Sequence, residues 1–178
     1  QHYARGIAFA NTGRDKEARE ELVLFDEAIK NIPAKNWMLG GQPAAEIMPL
    51  ARFVLIGEIE FKAGNRKKGL DALAEAVALE STLIYAEPAP WMMPARHTYG
   101  ALLIVDGHYK KAEQIYLQDL EVFPANGWAL LGLRDALRGQ ERFEEAELTD
   151  KAFKLAWKSA DVMPPASCYC GTAVAIAE

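Results

Sequence analysis

Two groups of residues in this 178-residue sequence have the types and spacing to do chemistry. Cys168 and Cys170 stand one residue apart in "ASCYCGTA". As thiolates, with a thioether such as Met163 near them in sequence, they suit a soft ion such as Cu(I), or zinc. A metal centre needs several converging ligands, however. There is no second CxC or CxxC and no HxxxH, and His2, His97 and His108 are scattered. No resident metal or cofactor is expected. A single intervening residue strains a mutual disulfide, so the sequence predicts two separate thiols in a C-terminal tail. A nucleophilic Cys168 would need a neighbouring base, and no recognisable one accompanies it.

The second group is "YAEPAPWMMPARHTYG", residues 85–100. It combines Glu87, Trp91, Arg96 and His97 with the hydroxyls of Tyr85 and Tyr99. Each proline fixes its own φ and pushes the residue before it out of helical space, so "EPAP" is extended. Pro94 suits the first turn of a following helix. The stretch predicts a rigid wedge, with Trp91 buried against a helix and an ion pair between Glu87 and Arg96 closing the loop. A second reading makes it one wall of a small-ligand pocket, where Trp91 stacks and His97 and Glu87 supply polar handles. The paired acids Glu58/Glu60 and Glu144/Glu145 read as solvated helix faces. No P-loop, GxGxxG, HExxH or GxSxG motif is present, and no catalytic constellation is expected.

The elements that carry these residues read as helices. Apolar residues recur at three- and four-residue intervals on both sides of Gly13, Gly64, Gly107 and Gly139. Each glycine is expected to end one helix in a left-handed conformation. Short connections then make the two helices of a pair antiparallel neighbours. No strand-like alternation persists. A small residue precedes each turn by seven positions (Gly6, Gly57, Gly100, Gly132), and another follows three of the turns by five (Ala18, Gly69, Ala112). This is the tetratricopeptide (TPR) pattern of about 34 residues. The third unit fits best, and the fourth opens with Trp128, Leu131 and Gly132 but then runs two residues late at Phe143 and Ala146. The expected fold is an all-α, right-handed α-solenoid of about four TPR-like antiparallel helix pairs. It spans residues 1–163, with units at about 1–34, 43–80, 94–124 and 125–160 and a tail at 164–178. Extra residues fall in two places, "AKNWMLGGQPAAEIM" before the second unit and the proline stretch before the third. A regular solenoid needs neither, so they are where function is expected.

Composition excludes several classes. Hydrophobic residues make up 51% and charged residues 25%, the balance of a soluble globular domain. The net charge of −5 argues against nucleic acid, whose phosphates require a basic face. No run reaches the roughly 20 apolar residues of a membrane span, and no signal peptide is visible. With only two cysteines, a reducing cytoplasm is the expected compartment. The chain does not start with methionine and reads as a fragment of a longer protein.

Across nearly its whole length the sequence resembles the C-terminal repeat region of a group of bacterial TPR proteins. The resemblance is carried by "YARGIAFANTGR", by "YAEPAPW" followed by "PARHTYG", and by "NGWALLGLRDAL". It implies a scaffold that binds a protein or peptide partner in a concave groove, and no reaction. By repeat position the groove would present Tyr3, Ile7 and Asn11, then Val54, Glu58 and Phe61, then His97, Ala101 and Ile104, then Ala129, Leu133 and Ala136. The Lys, Arg and Asn of a carboxylate clamp are nearly absent there, so a C-terminal carboxylate is not the expected ligand. The candidate binding residues are Tyr3, Glu58, Phe61, Glu87, Trp91, Arg96, His97 and Ile104.

Overall fold

The computed structural model describes residues 1–33 and 37–170. The described residues are about two-thirds helical. They form α1 (His2–Asn11), α2 (Asp15–Lys30), α3 (Ala44–Lys62), α4 (Arg66–Glu80), α5 (Ala95–Val105), α6 (Tyr109–Val122), α7 (Gly127–Arg138) and α8 (Phe143–Ala156). The fold is all-α, built from four helix pairs. One small hairpin was not anticipated: β1 (Met38–Leu39) pairs antiparallel with β2 (Gln42–Pro43), turning at Gly40 and Gly41 with φ of 55° and 81°.

The chain divides into two compact units, Gln1–Ala95 and Arg96–Glu178. The core of the first gathers Ala10, Ala18, Phe25, Ala51, Leu55 and Ile59 from α1, α2 and α3. The small residues of the repeat pattern make this close packing possible. A Cβ on Gly57 would lie 2.5 Å from Leu73, and one on Gly69 would lie 2.7 Å from the Gly57 carbonyl, so α3 and α4 touch nearly backbone to backbone. In the second unit Leu130, Leu131 and Phe153 form a cluster with Leu120 and Trp157 against it. There the Tyr116 ring is wholly buried and lies against two helices at once. A Cβ would come within 2.5 Å of that ring at Gly100 and within 2.1 Å at Gly132.

One expectation about turns is corrected. Gly13, Gly64 and Gly107 do adopt left-handed φ values of 73°, 89° and 77°, but Gly139 is right-handed at −63°. Gly139 is required for space instead, since a Cβ there would sit 2.3 Å from the Tyr109 ring. The left-handed residue of the fourth turn is Glu141, at φ 60°. Placed two residues later, it accounts for the late Phe143 and Ala146. α3 begins at Ala44 and runs through Pro49. The one backbone bond that proline forgoes is offset by the burial of Ile47, Leu50 and Ala51 around it.

Candidate functional site

In the first unit, α1 and α3 bring several groove candidates together. Asn11 Nδ2 donates to Glu58 Oε2 at 2.7 Å. Glu58 is buried, and loss of hydration raises its pKa, while the Asn11 bond and the charge of Lys62 pull the other way. The Tyr3 hydroxyl is pushed well above the usual phenol range, by burial and by the Glu58 charge. Trp91 meets Tyr3 edge-to-face, with ring centroids 5.3 Å apart and planes at 84°, and packs against the α1–α3 core. The wedge therefore anchors on α1. Phe61 and Val54 are buried and serve the core.

The reading of Glu58 and Glu60 as a solvated face is wrong: both are 4% exposed. Glu60 is the hub of a charged cluster. It accepts from Arg19 Nη1 at 2.7 Å and Nη2 at 3.2 Å, from Lys68 Nζ at 2.8 Å and from Asn65 Nδ2 at 2.8 Å. These donors, Arg19 foremost, lower its pKa to about 2. α3 is covered on more than one side, so acids two residues apart both end inside. Glu144 and Glu145 are exposed, as expected. Sequence reasoning also missed Glu21, a buried carboxylate held by His2 Nδ1 and Arg5 Nη2, each at 2.7 Å.

The two insertions meet in this unit. Residues 34–36 of the first lie outside the described residues. From Trp37 onward it forms the hairpin, and Gly40 closes on Pro90, where a Cβ would be 3.0 Å from the proline ring. Gln42 Oε1 accepts from the Ile84 amide at 3.0 Å, and Gln42 Nε2 donates to Glu46 at 3.1 Å. Glu87 accepts from the Tyr85 hydroxyl. The amide of Ala95 donates to Glu80 Oε1 at 2.6 Å. A cleft elsewhere in this unit, lined by Val23, Met48 and Arg52, has its main charges paired: Arg52 Nε and Nη2 grip Asp26 at 2.6 and 2.9 Å.

In the second unit His97 is buried in a polar knot that the sequence did not suggest. Its Nε2 lies 3.2 Å from Asp119 Oδ2 and 3.1 Å from Asn126 Nδ2, and Asn126 also donates to Asp119 Oδ2 at 2.8 Å. Asn126 caps α7 by accepting from the Trp128 amide at 3.1 Å. Asp119 is fully buried, and its other oxygen, Oδ1, has no hydrogen-bond partner. The knot joins α5, α6 and the start of α7, so His97 is built into the interior. Arg96, Ala101, Ile104, Ala129, Leu133 and Ala136 are buried as well.

The tail corrects a further expectation. Cys168 and Cys170 are joined by a disulfide. Their Cα atoms are 5.3 Å apart, inside the usual span, and Tyr169 between them is exposed. Its ring lies 5.3 Å from Trp128, and Ser167 bonds the Tyr116 hydroxyl. In this form the sulfurs are not thiolate ligands. Among the described residues no group of three or more His, Cys, Asp or Glu is placed to hold a metal ion. Residues 171–178 of the predicted tail lie outside the described residues. No described helix is long and apolar enough to cross a membrane.

No protein-family model matches the chain, and no curated protein sequence does. Solved structures do. A mutant of MamA superposes with a TM-score of 0.55 at 18% identity, covering 87% of this chain and 71% of that one. A structure of MamA AMB-1 superposes with a TM-score of 0.52 at 19% identity, covering 87% and 70%. Both are helical and TPR-like, and the likeness establishes the fold.

Proposed function

We propose that the chain is a non-enzymatic interaction scaffold of TPR type, binding a protein or peptide on the face made by α1 and α3. The observation that carries this reading is the meeting of Tyr3, Asn11, Glu58 and Trp91 on that face. An aromatic platform beside a buried carboxylate and an exposed amide offers a peptide both apolar contact and polar registration. Phe61 and His97 are interior groups, so their removal would test folding and not binding. The direct test is a block on the surface. Asn11→Arg keeps a donor for Glu58 and fills the face. Expected is loss of partners captured from the native host by the full-length protein, with the melting temperature within a few degrees of wild type. An unchanged set of captured partners would sink the reading.

One atom favours a second reading, a small-ligand site beside Trp91. The indole Nε1 is buried and has no acceptor. A ligand oxygen placed there would satisfy it. Isothermal titration with candidate small acids would then give a signal that Trp91→Phe removes.

A further inference from the structure

The two insertions build one lobe, and its outer surface is not that of an inert loop. Trp37, Met38, Leu39, Ile84, Tyr85 and Met92 all project from it into solvent, with Trp37 61%, Tyr85 79% and Met92 81% exposed. Single exposed apolar residues are ordinary, but aromatic and methionine side chains gathered on one lobe mark an interaction surface. The lobe is also held in shape. The hairpin register, the Gly40–Pro90 approach, the Gln42–Ile84 bond and the Tyr3–Trp91 contact fix it to the helices. Among the described residues of the two insertions the charged side chains are Glu46 and Glu87, both exposed, while Lys35 of the first lies outside the described residues.

We propose that this lobe docks a short cationic amphipathic helix from a partner protein. Apolar side chains of the helix would lie against Trp37 and Met92, and its Lys or Arg residues would face Glu46 and Glu87. The proposal rests on the scaffold reading above and names a second surface for it. Methionine suits this role because its unbranched, polarizable chain repacks around different anchors. The two carboxylates complement a basic helix and repel an anionic bilayer, which separates the two apolar occupants such a surface could accept.

The test uses fluorescence anisotropy with the full chain and a labelled helical peptide of about 18 residues, long enough to be helical when bound. One probe places Leu and Lys in amphipathic spacing, and a second replaces every Lys by Glu. Vesicles containing phosphatidylglycerol form a third arm. The Leu/Lys peptide is expected to bind, and the Leu/Glu peptide is not. Trp37→Ser combined with Met92→Ser is expected to weaken the Leu/Lys peptide about ten-fold or more. Glu87→Lys should weaken it too and admit the Leu/Glu peptide. The altered side chains are exposed, so circular dichroism should show intact helix in each variant. Failure of the Leu/Lys peptide to bind, binding of both peptides alike, binding of vesicles only, or binding that survives the lobe variants would each overturn the proposal. If Asn11→Arg abolishes partner capture while the lobe variants change nothing, the lobe assignment fails and the scaffold reading stands. If neither set of variants alters capture, both fail.

Discussion

Glu58 and Glu60 are two residues apart on α3, and their surroundings push them in opposite directions. Glu60 is held at about 2 against an ordinary value of 4.5, so its ionised form favours folding. That contribution is fully present above pH 4.5 and is lost as the pH falls towards 2. Glu60→Gln should therefore lower stability at pH 7 by about 1–3 kcal/mol. In urea melts the gap to wild type should close as the pH approaches 2. Glu58 has the reverse sign. Its folded-state value lies above 4.5, so ionisation costs stability at neutral pH, and the cost disappears once the pH falls below the unfolded value. Glu58→Gln keeps an acceptor for Asn11 and should raise the melting temperature at pH 7, with no difference from wild type at pH 3. Neither fate was legible in the sequence. Periodicity assigns a residue to a helix face, but it does not say how many neighbours fold over that face.

At the scale of the element, the glycine pattern carried most of what could be read in advance. Gly6, Gly57, Gly100 and Gly132 marked close helix contacts because a missing Cβ is a statement about space, and space is conserved when helices pack in pairs. Gly139 shows the limit of that reading. A turn glycine can serve left-handed φ or close approach, and only the position of the Tyr109 ring decides which. A proline does not always mark a boundary either, since Pro49 lies inside α3. Two predictions belong here. Gly132→Ala forces a methyl group against Tyr116 and should cost about 2–4 kcal/mol by chemical denaturation. Trp91→Ala removes the edge-to-face contact with Tyr3 and the anchor of the insertion. It should cost about 1–3 kcal/mol and raise amide hydrogen exchange in residues 81–94 more than in α4.

For the whole molecule, four helix pairs were readable because each is written locally, in a glycine and the small residues around it. The convergence of the two insertions was not. Their contacts join residues about 40 positions apart, such as Gln42 and Ile84, and nothing in either segment's own pattern names the other. The same holds for the His97 knot, whose partners sit on separate elements. Because each unit carries its own packing, Gly57→Ala and Gly132→Ala share no neighbouring side chain. Their destabilisations should add to within about 0.5 kcal/mol in the double variant. A larger deviation would show that the two cores are coupled.

Tyr116 also constrains how this sequence is able to drift. Its ring presses on two glycines from different helices, and its hydroxyl holds the tail through Ser167. A lineage cannot enlarge Gly100 or Gly132 first, because either step collides with the ring. The tyrosine must shrink before either glycine is released, and that step leaves a cavity and frees Ser167. The path away from this arrangement begins with its most costly move, so the three positions should persist together in descendants whose surfaces have changed almost completely.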